Sequence, residues 1–166
     1  MKRRNCLIVI ALFLFSIKSI SMYGQDVKQN IDRRYDIICE GNGVEGTYLV
    51  KVWVYANKLN LKPGTLRKYA VHGIRCKGVN GSTKCGGQKP FAKSLSVEEE
   101  NKEYFDEFFE KKNGYLNFAT IVEGTFERVK VTKRQYKIGA VISVAKDQLR
   151  KQLETDNIIR GLSSGF

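Results

Sequence analysis

GTYLVKVWVYA, residues 46–56, is the stretch that decides the fold. Successive side chains of an extended strand point to opposite faces, and here the two faces differ in character. The first face is largely apolar and consists of Tyr48, Val50, Val52 and Val54. The second face mixes a cation with aromatic and apolar side chains and consists of Leu49, Lys51, Trp53 and Tyr55. The stretch therefore predicts a strand of an antiparallel sheet that is covered on one face.

The neighbouring segments extend this strand into an α+β pattern. Residues 35–41 predict a preceding strand, because the glycines and Asn42 between the two runs suit a hairpin turn. Residues 64–76 predict a short amphipathic helix. A second helix begins near Ser96, carries an aromatic stripe from Tyr104 to Phe109, and stops at Asn113-Gly114.

The C-terminal third predicts two long strands and a helix. Residues 118–131 alternate in polarity, with a break at Gly124, and residues 136–144 give a second apolar face. A final helix is expected over residues 146–155. The order is β-β-α-α-β-β-α, which predicts a two-layer α+β domain with an antiparallel sheet of about four strands and about three helices.

The N-terminus has the pattern of a secretory signal. A basic start precedes the apolar run at residues 6–17, which is shorter than the roughly 20 residues that a membrane span needs. We expect cleavage after Gly24, with cleavage after Ser21 or retention as an uncleaved anchor as the alternatives. The predicted organisation is a signal peptide at 1–24, a polar leader at 25–34 and a single domain at 35–166. The predicted location is periplasmic or extracellular, with no transmembrane anchor after cleavage.

Charge narrows the range of partners. The segment 1–24 carries four cations and no acid, so its removal lowers the formal net charge from +12 to +8. Outside the cytoplasm this excess points away from nucleic acid and towards phosphates and carboxylates of the envelope. Because the cations are scattered along the sequence, a solvated basic surface is favoured over a dedicated anion site.

Three cysteines follow the signal segment, so they cannot all pair within one chain. Cys76 and Cys85 bracket a loop rich in glycine, and we expect a disulfide between them. Cys39 lies in an apolar strand, where a thiol commonly behaves as a small buried hydrophobe. No metal site and no cofactor are predicted, because His72 is the only histidine and no C-x-x-C spacing exists.

No catalytic residue is assigned. Ser143 and Lys146 match the Ser-x-x-Lys spacing of serine acyl-enzymes, but the companion motifs of that class are missing. His72 and Cys76 share a helix face, which would suit a Cys–His pair only if a third group oriented the imidazole. A helix-end histidine and a loop-closing cysteine is the favoured interpretation. The acidic residues form the expected solvated face of the second helix: Glu98, Glu99, Glu100, Glu103, Asp106, Glu107 and Glu110.

Four segments carry a resemblance to small envelope proteins of Gram-negative bacteria: GTYLVKVWVYA, AVHGIRCKGV, EGTFERVKV and QYKIGAVISVAKDQLRK. The chain is similar to an uncharacterised exported family with the ending IIRGLSSGF. More distantly, it resembles accessory domains of flagellar assembly and of penicillin-binding-protein activation, which are non-catalytic docking modules. Those proteins are lipoproteins, and this sequence lacks the lipidation cysteine after its apolar run.

The sequence thus predicts an exported, non-catalytic accessory or binding protein of the cell envelope. Its expected partner is an envelope protein or an anionic envelope polymer, and the oligomeric state is left open. The alternative is a small hydrolase of cell-wall or polysaccharide material, which would use Ser143 with Lys146, or a pair of glutamates, in a cleft.

Overall fold

The computed structural model describes residues 35–92 and 95–161. These residues belong to one compact unit, Tyr35–Phe166. The predicted signal peptide at 1–24 and leader at 25–34 lie outside the described residues. Within the described ranges, no helix has the length and apolar character needed to cross a membrane.

The centre of the fold is an antiparallel sheet of five strands in which β2 and β5 are the middle pair. The strands lie in the order β1-β2-β5-β3, and β4 pairs with β5 beside β3. Their bounds are Tyr35–Asn42 for β1, Tyr48–Ala56 for β2, Ala119–Ile121 for β3, Glu127–Thr132 for β4 and Gln135–Val144 for β5. The antiparallel α+β fold predicted from the sequence is confirmed.

The helical segments are short, and several end in a wider or tighter turn. They are α1 at Pro63–His72 with a π-helical turn at Gly73–Lys77, α2 at Leu95–Glu100, α3 at Lys102–Asp106 with a π-helical turn at Glu107–Lys111, a 3-10 turn at Gly114–Asn117 and α4 at Lys146–Thr155. Pro63 occupies the first turn of α1, where its missing N–H has no cost. The bounds of α4 coincide with the predicted helix at 146–155.

One face of the sheet supplies the core. The predicted apolar face of β2 is buried, as are Ile138, Ala140, Ile142 and Val144 of β5. Leu66 and Val71 of α1 and Leu149 and Leu153 of α4 are also buried. All of the buried residues named here except Ile138 form one continuous apolar cluster. The opposite side of the sheet, which we call the open face, carries Leu49, Lys51, Trp53 and Tyr55 of β2 and their cross-strand partners.

Two predicted elements are divided in the structure. The strand expected over 118–131 becomes β3 and β4, which run in the same direction along β5, because residues 122–126 bulge out between them and Gly124 takes a φ of +73°. β3 then pairs with the end of β5 near Val144, and β4 pairs with its beginning. The second helix also breaks, at Asn101, whose ψ of 29° departs from helical geometry. The asparagine stop at Asn113 is confirmed by its left-handed φ of 50°.

The predicted Cys76–Cys85 disulfide is wrong. Cys85 is bonded to Cys39, with the two Cα atoms 6.0 Å apart. The reason lies in the path of the loop after α1, in which Val79 pairs with Gln88 and the next residue, Asn80, runs beside β1. The backbone N–H of Cys39 donates to the carbonyl of Asn80 at 2.9 Å, and the Tyr48 hydroxyl donates to the carbonyl of Gly86. These bonds carry the loop to Cys39 and away from Cys76.

Candidate functional site

Three side chains with metal-ligating or nucleophilic atoms meet where α1 ends. His72 is the last residue of α1, Cys76 lies in the π-helical turn that follows, and Glu98 belongs to α2. We call these three residues the His72 cluster. The donor atoms of the three side chains all lie within 4.8 Å of one another.

A glycine permits the close packing that positions this cluster against β1. A Cβ at Gly73 would come within 2.7 Å of Ile37 Cδ1, so the end of α1 approaches the strand more closely than another residue would allow. The approach brings His72 beside the first residue of β1, and the Tyr35 hydroxyl lies 2.6 Å from His72 Nδ1. This hydrogen bond fixes the rotation of the imidazole ring.

Within the cluster, the carboxylate of Glu98 is the shared neighbour. Its Oε2 accepts a hydrogen bond from Cys76 Sγ at 3.6 Å, and its Oε1 lies 4.0 Å from His72 Nε2. The side chains of His72 and Glu98 are 12% and 20% exposed, and the Nε2 atom of His72 is itself buried. The group is therefore largely desolvated.

A buried arginine borders the cluster. Arg75 Nη2 lies 3.7 Å from Glu98 Oε2, and the arginine side chain is 2% exposed. Its guanidinium carbon lies 3.7 Å from the centroid of the Phe105 ring, so the cation is held between a carboxylate and an aromatic face. Arg75 is the buried charged residue of the core, and Glu98 partly neutralises it.

The sequence placed His72 and Cys76 on one face correctly but missed their third partner. Glu98 was expected on the solvated acidic face of the second helix, and it turns inward instead. Nothing in the spacing of that acidic segment separates Glu98 from Glu99 or Glu100.

Ser143 and Lys146 do not form a catalytic pair in the structure. Ser143 lies on the open face, opposite Leu49 on β2 and Thr120 on β3. The cap of α4 is Ala145, and the Lys146 amine lies 4.0 Å from Asp147 Oδ1. Across the described ranges, no hydrogen bond joins the Ser143 hydroxyl to the Lys146 amine, so the serine–lysine form of the hydrolase alternative loses its support.

The open face has an aromatic centre. Trp53 lies across the sheet over Gly139, its partner on β5, where a Cβ would come within 2.5 Å of the indole. The amines of Lys51 and Lys137 lie 4.9 and 5.1 Å from the indole centroid. Tyr55 extends the aromatic surface towards the end of β2.

Carboxylates pair with both of these lysines. Lys51 lies 2.8 Å from Glu127, and Lys137 lies 3.6 Å from Asp36. Exposed ion pairs of this kind contribute about 0–1 kcal/mol each, so an incoming anion can displace either carboxylate at low cost. The open face therefore combines an aromatic platform with two exchangeable cations.

Next to this platform, the β4–β5 hairpin concentrates positive charge. We call residues 127–137 the basic hairpin: it contains one acid, Glu127, and five cations, which are Arg128, Lys130, Lys133, Arg134 and Lys137. Every residue of β4 is exposed, including Val129 and Val131 at 49% and 48%. Five cations thus lie within the eleven residues of one hairpin.

The helical segment at residues 95–112 has the opposite charge. It contains seven acids and three lysines. Exposed ion pairs within it, such as Lys102 with Asp106 and Lys112 with Glu107, leave an acidic excess. Hydrogen bonding and charge from Lys112 hold the pKa of Glu107 below its usual value. The two segments therefore carry opposite net charges: five cations and one acid give the basic hairpin +4, and three lysines and seven acids give the helical segment −4.

No protein-family model, curated protein or solved structure matches this chain.

Proposed function

We propose that this chain is an exported, non-catalytic binding protein of the cell envelope, and that the basic hairpin and the open face bind an anionic envelope polymer. The observation that carries the proposal is the presence of five cations on residues 127–137, of which 127–134 are exposed, next to the Trp53 platform. The hairpin supplies attraction for repeated carboxylate or phosphate groups, and the indole supplies an apolar surface for the rings that bear them.

The signal-like N-terminus and the disulfide support an envelope location. A bond between Cys39 and Cys85 is typical of proteins in oxidising compartments. The acidic polymers available there carry carboxylates on cell-wall glycan or phosphates on lipopolysaccharide. Both polymers carry anionic groups on sugar rings, so binding to each polymer is measured separately.

The test uses Trp53 as its reporter, since it is the only tryptophan of the chain. The exported protein is titrated with polygalacturonate as the carboxylated glycan and with dextran as the neutral control. Separate arms measure co-sedimentation with peptidoglycan sacculi and binding to purified lipopolysaccharide. We expect a change in Trp53 emission with the anionic glycan, weakening as salt is added, and no change with dextran.

A matched pair of charge reversals assigns the surface. K133E/R134E changes two adjacent exposed cations of the basic hairpin, and K111E/K112E makes the same change in the helical layer. The hairpin variant should weaken binding by on the order of tenfold or more, and the helical variant should bind like the unmodified protein. Equal losses in both variants, or no binding above dextran in any arm, would overturn the proposal.

A further inference from the structure

We propose that His72, Cys76 and Glu98 form a binding site for a thiophilic divalent cation of the zinc type. This inference is independent of the polymer-binding proposal, because the His72 cluster is built from α1, its π-helical turn and α2, whereas the proposed polymer surface belongs to the sheet. Sequence reasoning predicted no metal site, since the chain has one histidine and no paired cysteines.

The geometry of the three donors suits a tetrahedral ion. Zinc binds sulfur at about 2.3 Å and nitrogen or oxygen at about 2.0–2.2 Å, so neighbouring ligand atoms lie about 3.3–3.7 Å apart. The structure places Cys76 Sγ 3.6 Å from one Glu98 oxygen and His72 Nε2 4.0 Å from the other. The three donors all lie within 4.8 Å of one another, so side-chain shifts of up to about 1 Å would bring them to coordination distance.

The groups around the donors are those that orient ligands in metal sites. The Tyr35 hydroxyl lies 2.6 Å from His72 Nδ1, so it can accept a hydrogen bond from Nδ1–H and leave Nε2 to face the cluster. Such outer partners fix the tautomer of a ligating histidine. Arg75 lies 3.7 Å from Glu98 Oε2, which favours coordination through the other oxygen, Oε1.

Ionisation of the thiol supplies a second negative charge. Binding releases the Cys76 proton to solvent, and the thiolate and the Glu98 carboxylate then offset the two charges of the cation, which leaves the charge of Arg75 stacked on Phe105. Imidazole, thiolate and carboxylate are all donors that zinc accepts, and thiolate disfavours Mg²⁺ and Ca²⁺. Three protein ligands leave a fourth position for water, as in zinc sites that remain open to a small ligand.

The experiment uses Co²⁺ as a spectroscopic substitute for Zn²⁺. The exported protein, kept with its disulfide intact, is titrated with Co²⁺, and the near-ultraviolet band of a cobalt–thiolate bond is recorded. Zn²⁺ is then added to displace the cobalt. We expect one equivalent of cobalt to produce the band and one equivalent of zinc to abolish it.

Four variants test the ligand assignment. Cys76→Ser should remove the band. Glu98→Gln should weaken metal binding by about a hundredfold or more, because loss of an outer partner alone costs about 10–100-fold. Glu99→Gln is the matched control, because Glu99 is exposed on the same helix, and it should bind like the unmodified protein. Tyr35→Phe should weaken binding by roughly 10–100-fold without removing the band.

Circular dichroism shows whether each variant is folded before its binding is interpreted. If the folded, unmodified protein gives no thiolate band, the proposal is wrong. It is also wrong if metal binds with undiminished affinity to both Cys76→Ser and Glu98→Gln. Should Cys76→Ser fail to fold, Glu98→Gln and its Glu99→Gln control decide the question on their own.

Discussion

Trp53 and Gly139 face each other across β2 and β5, and the indole occupies the space that a side chain at position 139 would need. A Cβ there would come within 2.5 Å of Trp53 Cε3 and within 2.7 Å of the Val52 carbonyl oxygen. Glycine in the interior of a strand normally weakens it. At position 139 it instead allows the single tryptophan to lie across the open face.

Gly139→Ala should therefore lower the free energy of unfolding by about 1–3 kcal/mol, the usual range for overpacking. The clash includes a backbone oxygen, which cannot rotate away as a side chain can. Urea denaturation measures the loss, and a shift in Trp53 emission reports the displaced ring. Gly86→Ala is the control, since no atom lies within 4 Å of a Cβ at that position. Equal stability of the two variants would contradict this account of Gly139.

Hydrophobic periodicity in the sequence predicted the elements that bury a clear apolar face. The alternation in residues 46–56 identified the buried face of β2, and the apolar spacing around Leu149 and Leu153 identified α4. Both elements bury a clear apolar face against the common core, so the pattern that the sequence shows is the one that packing requires. The sequence also marked a break at Gly124, and the structure divides the strand there, where Gly124 has a positive φ.

The site residues depended on contacts between distant segments, and these were predicted less well. Cys39 and Cys85 are 46 residues apart, and their pairing depends on where the loop after α1 meets β1. Glu98 lies 22 residues from Cys76 and resembles its acidic neighbours in every local respect. The basic hairpin is different, because its five cations lie within eleven consecutive residues and could have been recognised in the sequence.

The Cys39–Cys85 disulfide should stabilise the domain substantially. Its closed loop spans 46 residues, which corresponds to about 4 kcal/mol in the chain-entropy model. C39A/C85A should lose a large part of this in urea denaturation, and Cys76→Ser is the control that leaves the bond intact. Peptide mapping of the exported, non-reduced protein should recover the Cys39 and Cys85 peptides joined. Recovery of Cys76 joined to Cys85 would contradict the structure.

The stacking of Arg75 on Phe105 gives a third prediction. The guanidinium carbon lies 3.7 Å from the ring centroid, and the side chain is buried. Arg75→Lys keeps the charge but loses the planar stack, so we expect a loss of about 1–2 kcal/mol in the free energy of unfolding. Arg128→Lys is the matched control, because Arg128 lies 4.6 Å from the Phe126 centroid in exposed β4. Urea denaturation should show a change below about 0.5 kcal/mol there, and equal losses would contradict the role given to the buried stack.

Ionisation of the Tyr104 phenol should make the free energy of unfolding depend on pH in the alkaline range. Burial raises the pKa of Tyr104 above its usual value of 10.0, and the hydrogen bond to Asp156 and the charge of Asp156 raise it further, whereas Arg75 opposes the shift. Tyr104 donates that bond to Asp156 Oδ2 at 2.5 Å. Below about pH 10 both folded and unfolded chains hold the phenol proton, so the stabilisation is complete.

Above about pH 10 the unfolded chain loses this proton while the folded chain retains it, and the free energy of unfolding falls as the pH rises. Tyr104→Phe should cost about 1 kcal/mol at neutral pH through the lost hydrogen bond, and the deficit should shrink above about pH 10. Thermal denaturation across this pH range measures both effects, in a Cys76→Ser background that prevents thiol–disulfide exchange. Asp156→Asn should give an intermediate pH dependence, since burial of Tyr104 remains while the carboxylate charge is removed. A deficit for Tyr104→Phe that stays constant from neutral pH to about pH 11 would show that the phenol proton is not linked to folding.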